Sequence, residues 1–181
     1  MSDFVKDSDK GFVHVYTGNG KGKTTAALGL CFRAAGWNMK SYIGQFMKGQ
    51  LYGELRAAKF TNGMMEIEQY GKDTFIHVTD PPDPDDVKMA KEGLAKLKAA
   101  MSSGNYRIVV ADEICTCHHF HLITEDQILD LMREKPAGIE LILTGRHSPS
   151  KVVEQADLVT EMREIKHYYT QNISARMGIE R

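Results

Sequence analysis

One stretch constrains this chain more than any other: Thr17-Gly18-Asn19-Gly20-Lys21-Gly22-Lys23-Thr24-Thr25. An apolar run at residues 12–16 precedes it, and a helix-forming run at 26–35 follows it. Strand, glycine-rich turn, Gly-Lys-Thr and helix, in that order, form the context of a phosphate-binding loop. The physics is local. Glycines let successive backbone N–H groups turn inward around an anion, and the new helix points its positive end at the same place. Lys23 adds a mobile cation, and the hydroxyl of Thr24 suits a magnesium ion that also touches phosphate oxygens. The usual pattern starts with a glycine where this chain has Thr17, so Gly18 and Gly20 are expected to supply the turn. Gly18, Asn19, Gly20, Lys21, Gly22, Lys23, Thr24 and Thr25 are the candidate nucleotide-binding residues.

The rest of the chain repeats the same rhythm. Strands are expected at 11–17, 41–46, 64–70, 107–113, 140–146 and 158–162. Helices are expected at 23–36, 53–60, 85–103, from the capping-box sequence Thr124-Glu125-Asp126-Gln127 onward, and at 150–155. Asp80-Pro81-Pro82-Asp83-Pro84 breaks the chain before the longest helix, which Asp83 or Asp85 would cap. Such alternation predicts an α/β fold, a mostly parallel sheet of about six strands with helices on both faces. We expect one P-loop domain over residues 1–181, of RecA-like type, with a flexible start at 1–10 and a polar tail from about 167 to 181. The carboxyl ends of the strands would gather loops 17–25, 46–54, 71–80, 112–121 and 144–150 on one edge.

With 181 residues the chain can bury a sizeable core, and its net charge of −1 favours neither nucleic acid nor an anionic membrane surface. No apolar run approaches the roughly 20 residues of a membrane span, and the first residues lack the apolar core of a secretory signal. Three cysteines are too few and too odd in number for a disulfide framework, so a reducing, cytoplasmic setting is expected.

Asp112-Glu113, closing the apolar run at 108–111, would be the second half of a magnesium–nucleotide site. Adjacent residues of a strand point to opposite faces, so the two acids are expected to divide the work. Arg146, after Thr144-Gly145, suits either the nucleotide or a structural ion pair. Cys115-Thr116-Cys117-His118-His119-Phe120-His121 carries zinc-ligand chemistry, but without Cys-x-x-Cys spacing or a second ligand cluster it reads better as a pocket wall.

The residues taken together resemble the ATP:corrinoid adenosyltransferases of the CobA/CobO/BtuR type. The similarity runs through the extended phosphate loop followed by Ala26-Ala27, Phe46-Met47-Lys48-Gly49, Gly53-Glu54, Asp112-Glu113, Thr144-Gly145-Arg146, Lys166-His167 and Met177-Gly178-Ile179-Glu180. It implies transfer of the 5′-deoxyadenosyl group of ATP to the Co(I) of a corrinoid with loss of triphosphate, the ATP lying along the loop in the reverse sense. Lys21, Lys23, Thr24 and Glu113 would then be the catalytic set, with Thr24, Glu113 and Asp112 around magnesium. A reductase or flavin electron donor and a homodimer are also implied.

Family members place aromatic side chains near the corrinoid, some in a Gly-Phe-Thr-Trp segment. Here the matching stretch is residues 70–76 without the tryptophan, which leaves Phe75 as the corrinoid contact, with His118 on the opposite wall. Some members cover the corrinoid with a long N-terminal helix, whereas only about ten residues precede the first strand here. Two other functions share the phosphate loop. A small-molecule kinase would form ADP, and a nucleotide-dependent regulatory module would bind ATP without turnover.

Overall fold

The computed structural model describes residues 10–73 and 81–181. Six strands form one sheet: β1 (Val13–Thr17), β2 (Ser41–Phe46), β3 (Met65–Tyr70), β4 (Ile108–Asp112), β5 (Glu140–Thr144) and β6 (Leu158–Glu161). Their order is β3-β2-β4-β5-β1-β6, and every pairing is parallel. Parallel neighbours need crossovers, which the helices supply. These are α1 (Lys23–Ala35), α2 (Gly53–Ala57), α3 (Pro84–Ser102), α4 (Ile114–His119), α5 (Glu125–Arg133) and α6 (Ser150–Gln155).

Burial on both sheet faces follows from the period of two along each strand. In β4, Val109 and Ala111 join the larger apolar cluster with Leu97 of α3 and Ile128 of α5. Ile108 and Val110 of the same strand join the opposite cluster with Ala27 and Cys31 of α1. The middle of the sheet therefore reads as unbroken apolar sequence, and β2 is buried at all six positions.

The expected elements appear within a residue or two of their predicted bounds, with instructive refinements. The segment expected as one helix at 53–60 is α2 followed by a 3-10 turn at Ala58–Thr61. Asp83 caps α3, its carboxylate accepting from the N–H of Asp85, with Pro84 at the first helical position. Thr124 and Gln127 make the reciprocal capping box of α5. Lys88, Lys91 and Lys96 lie exposed on α3, while Lys98 bridges at 2.8 Å to Glu134. The apolar positions Ala90, Leu94, Leu97 and Met101 of α3 are buried.

The main departure is the end of the chain. Expected as a polar tail, it holds a second 3-10 turn at Tyr168–Gln171 and folds back onto the mouth of the phosphate loop. Among the described residues, no helix is long and apolar enough to cross a membrane.

Candidate functional site

The carboxyl ends of the strands border a cavity of about 400 Å³. Gly20, Lys21, Gly22, Lys23, Thr24 and Thr25 line it from the loop after β1, and Lys48, Tyr52, Gly53 and Glu54 from the segment after β2. Glu113 and Arg146 enter from the ends of β4 and β5, and His167 and residues 178–181 from the C-terminal segment. Loops 17–25, 46–54, 112–121 and 144–150 thus meet as the strand order requires. Of the fifth expected loop, residues 74–80 lie outside the described residues.

The loop after β1 shows why two extra glycines are there. Gly18 takes φ +95°, and a side chain on it would meet the carbonyl oxygen of Met162. A side chain on Gly20 would strike the backbone of Met162 and Arg163, and the N–H of Gly20 donates to the Met162 carbonyl at 2.6 Å. These two glycines seat the loop on the strand-end backbone after β6. Gly20 therefore spends its N–H on the protein, and Gly18 and Asn19 are not among the residues lining the cavity. Anion-directed amides fall to the later part of the loop and the first turn of α1, where the helix positive end lies.

Lys23 is 6% exposed, and its ammonium donates to the carbonyls of Gly18 at 2.7 Å and Gly20 at 2.8 Å. Burial pushes its pKa down; Glu113 and Asp112 oppose that shift and Arg146 adds to it.

Asp112 is the hub. It is fully buried, and four donors share its two oxygens. Oδ1 accepts from Thr24 Oγ1 at 2.8 Å and from Thr144 Oγ1 at 2.7 Å. Oδ2 accepts from Lys48 Nζ at 2.8 Å and from Gln45 Nε2 at 3.2 Å. Burying a carboxylate is tolerable only with such saturation. Strand β5 lies between β1 and β4, and from its end the Thr144 hydroxyl ties the two acids at the end of β4 together, since it also accepts the N–H of Glu113 at 2.9 Å.

Glu113 has φ +65° and caps the start of α4 from the residue before it, and its Oε2 accepts from Thr116 Oγ1 at 2.5 Å. The two acids are placed differently. Asp112 is sealed beneath Thr24, whereas Glu113 borders the cavity. Oxygen donors of this kind, a hydroxyl and a carboxylate at the cavity with a second carboxylate behind the hydroxyl, fit the hard ligand set that magnesium takes.

Lys48 and Glu54 are site residues that the motif reading had placed only as family likeness. Lys48 sits 3.9 Å from Glu54 Oε1 and 5.3 Å from the centre of the Tyr52 ring. Burial alone would lower its pKa, but the charge and hydrogen bond of Asp112, with Glu54 and Glu113, outweigh it and the value is raised. Lys48 thus stays charged. Arg146 is exposed at the cavity with no carboxylate in ion-pair distance among the described residues, and its N–H donates to Thr116 Oγ1 at 3.0 Å.

The proposed corrinoid contacts fare differently. Phe75 lies outside the described residues. His118 is not among the cavity-lining residues, and its Nδ1 lies 3.3 Å from the Ile123 carbonyl within the α4–α5 connection. Beside it, His119 stacks on His147 with ring centres 4.1 Å apart. Cys115 and Cys117 are buried, and burial pushes both thiols up, Cys115 to about 11. Among the described residues, no His, Cys, Asp and Glu group is placed to hold a metal by itself, and residues 115–121 are not among those lining the cavity.

An all-parallel α/β sheet with a Gly-Lys-Thr turn over a strand-end Asp-Glu defines a domain of the P-loop NTPase-like class. The sequence model of the family described as ATP:corrinoid adenosyltransferase BtuR/CobO/CobP matches residues 9–181, and the chain belongs to that family. It is 33% identical over 179 residues to a corrinoid adenosyltransferase of Sinorhizobium sp, covering 97% of this chain and 83% of that protein. A corrinoid adenosyltransferase of Escherichia coli (strain K12) is 29% identical over 178 residues, covering 95% of this chain and 86% of the relative. Corrinoid adenosyltransferase CobA of Salmonella typhimurium is 27% identical over the same length, with the same coverage of each chain.

Proposed function

We propose that this chain transfers the 5′-deoxyadenosyl group of ATP to the Co(I) centre of a corrinoid and releases inorganic triphosphate. The observation that carries this reading is the convergence of Lys23, Thr24 and Glu113 on one cavity, in a chain of the corrinoid adenosyltransferase family. Cobalt(I) attacks the ribose 5′ carbon with its own electron pair, and the C5′–O bond breaks with its pair going to the triphosphate. No proton has to be removed from the nucleophile, so the site needs no general base.

What the protein must supply is placement and stabilisation of a highly charged leaving group. Lys21, Lys23 and Arg146 carry positive charge at the cavity, and the amides of Gly22, Lys23, Thr24 and Thr25 open the first turn of α1. The reverse orientation of ATP along the loop would expose the 5′ carbon to the cobalt. Thr24 and Glu113 would hold magnesium, with Asp112 fixing the Thr24 hydroxyl from beneath. The ion, when bound, neutralises phosphate charge. Reduction of the corrinoid before transfer falls to a separate reductase or flavin. A homodimer and a cytoplasmic setting belong to the same proposal.

The test is anaerobic, in dim light, with magnesium, ATP and chemically reduced cob(I)alamin. The expected result is the absorbance change to a light-sensitive adenosylated corrinoid, with triphosphate as the phosphate product. ADP formed on adding other acceptors would replace this reading with a kinase. ATP binding with no product would replace it with a regulatory module.

A further inference from the structure

The cavity has two chemically unlike ends. The phosphate-loop side is net cationic, with Lys21, Lys23, Lys48 and Arg146 against Glu54 and Glu113. The C-terminal side presents His167, Gly178, Ile179, Glu180 and Arg181: an imidazole, a bare backbone, a branched apolar side chain, a carboxylate and a guanidinium. With the Glu180 charge paired to Arg176, the wall offers an exposed apolar side chain among hydrogen-bonding groups, which suits a heterocycle with ribose hydroxyls. Ile179 is 58% exposed, an unusual state for an isoleucine held at a cavity wall.

This wall is held in place by one ion pair. The guanidinium of Arg176 contacts Glu180 through Nη2 to Oε1 at 3.0 Å and Nε to Oε2 at 3.2 Å. The Arg176 N–H adds 2.8 Å to Oε2, and the hydroxyl of Tyr168 donates to Oε1. The same guanidinium lies 5.0 Å from the centre of the Tyr168 ring. The N–H groups of Ile179, Glu180 and Arg181 all donate to the Arg176 carbonyl. Residues 168, 176 and 180 therefore close a compact loop, and that loop fixes how Ile179 and His167 meet the cavity. Bidentate, charge-assisted pairs of this kind set geometry more than they set global stability.

We infer that Arg176 and Glu180 are positioning residues, which clasp the C-terminal segment so that it binds the nucleoside half of the nucleotide while the phosphate loop binds the other half. This rests on the nucleotide reading above, but not on the corrinoid step.

The test is calorimetric binding of two probes, ATP and inorganic triphosphate, each with magnesium, to the full chain. In Arg176→Ala we expect about a tenfold loss of ATP affinity, with triphosphate affinity unchanged within twofold. Ile179→Ala, which leaves the clasp intact, should show the same selective loss to a smaller extent. Arg176→Lys, which keeps the charge, should recover part of the ATP affinity. Equal losses for both probes in Arg176→Ala would show that the segment merely supports the phosphate loop and would overturn the inference. So would unchanged ATP affinity in both alanine variants, or a wild-type protein that binds ATP no better than triphosphate. A wild-type protein that binds neither probe would remove the nucleotide reading itself, and the inference with it.

Discussion

The two walls of the cavity are held by opposite means. Under the phosphate loop, Asp112 is fully buried and every lone-pair direction is taken by Thr24, Thr144, Gln45 or Lys48. At the other wall, Glu180 is held by Arg176 and Tyr168, its own side chain 14% exposed and that of Arg176 about half exposed. A buried hub cannot lose one partner without stranding the others, so it transmits damage to the whole fold. A surface clasp comes apart without that penalty, and its loss stays local. The contrast suits the division of labour proposed here. Charge must be met by rigid, pre-oriented groups, whereas the nucleoside is assigned to a segment whose hold is local.

The sharpest way to break the contrast is at the loop cation. Lys23→Ala should lower adenosylation by about 10³-fold, the scale seen when a preorganised group that stabilises developing charge is removed. The protein should remain folded by circular dichroism, and turnover near wild type would show that Lys23 does not stabilise the leaving group. Asp112→Ala tests the hub. It leaves Lys48, Thr24 and Thr144 without their shared acceptor, and we expect about 3 kcal/mol of lost stability in denaturant unfolding. Lys48→Met is the milder version, with about 2 kcal/mol from one lost charge-assisted bond. A loss well below 1 kcal/mol in both variants would show that the network is not a unit.

How much of this was legible beforehand follows the same division. The loop after β1 and the acid pair after β4 announce themselves because their chemistry is carried by neighbours in sequence. Strand order is not carried that way. Nothing around Thr144 says that β5 sits between β1 and β4, so its bridge from Asp112 to Glu113 appears only in the fold. Gly20 looked like a phosphate donor, yet its N–H goes to Met162, a partner far away in the chain. Lys48 in a polar loop reads like any solvated lysine until Asp112 is found beside it. The C-terminal segment is the clearest case. Its polar composition resembles a loose tail, and the Arg176–Glu180 spacing alone does not reveal Tyr168 or the cavity behind them.

The smallest effect tests the clasp from the side of protons. Arg176, then Tyr168, hold the carboxyl of Glu180 below its usual 4.5, down to about 2. A carboxylate whose folded pKa is depressed adds stability to its local structure that is fully present above the unfolded value. That contribution fades as pH falls from about 4.5 and is lost through about 2. A carbon-detected NMR titration of the Glu180 side chain should therefore show a midpoint near 2, with the carboxylate still ionised at pH 4. In Arg176→Ala the midpoint should move back toward 4.5, because the largest cause of the shift is gone. The melting temperature at neutral pH should stay within error of wild type, since the pair is a surface one. A wild-type midpoint near 4.5 would mean that Arg176 and Glu180 are not paired in solution, and the wall they hold would then be no better fixed than a free chain end.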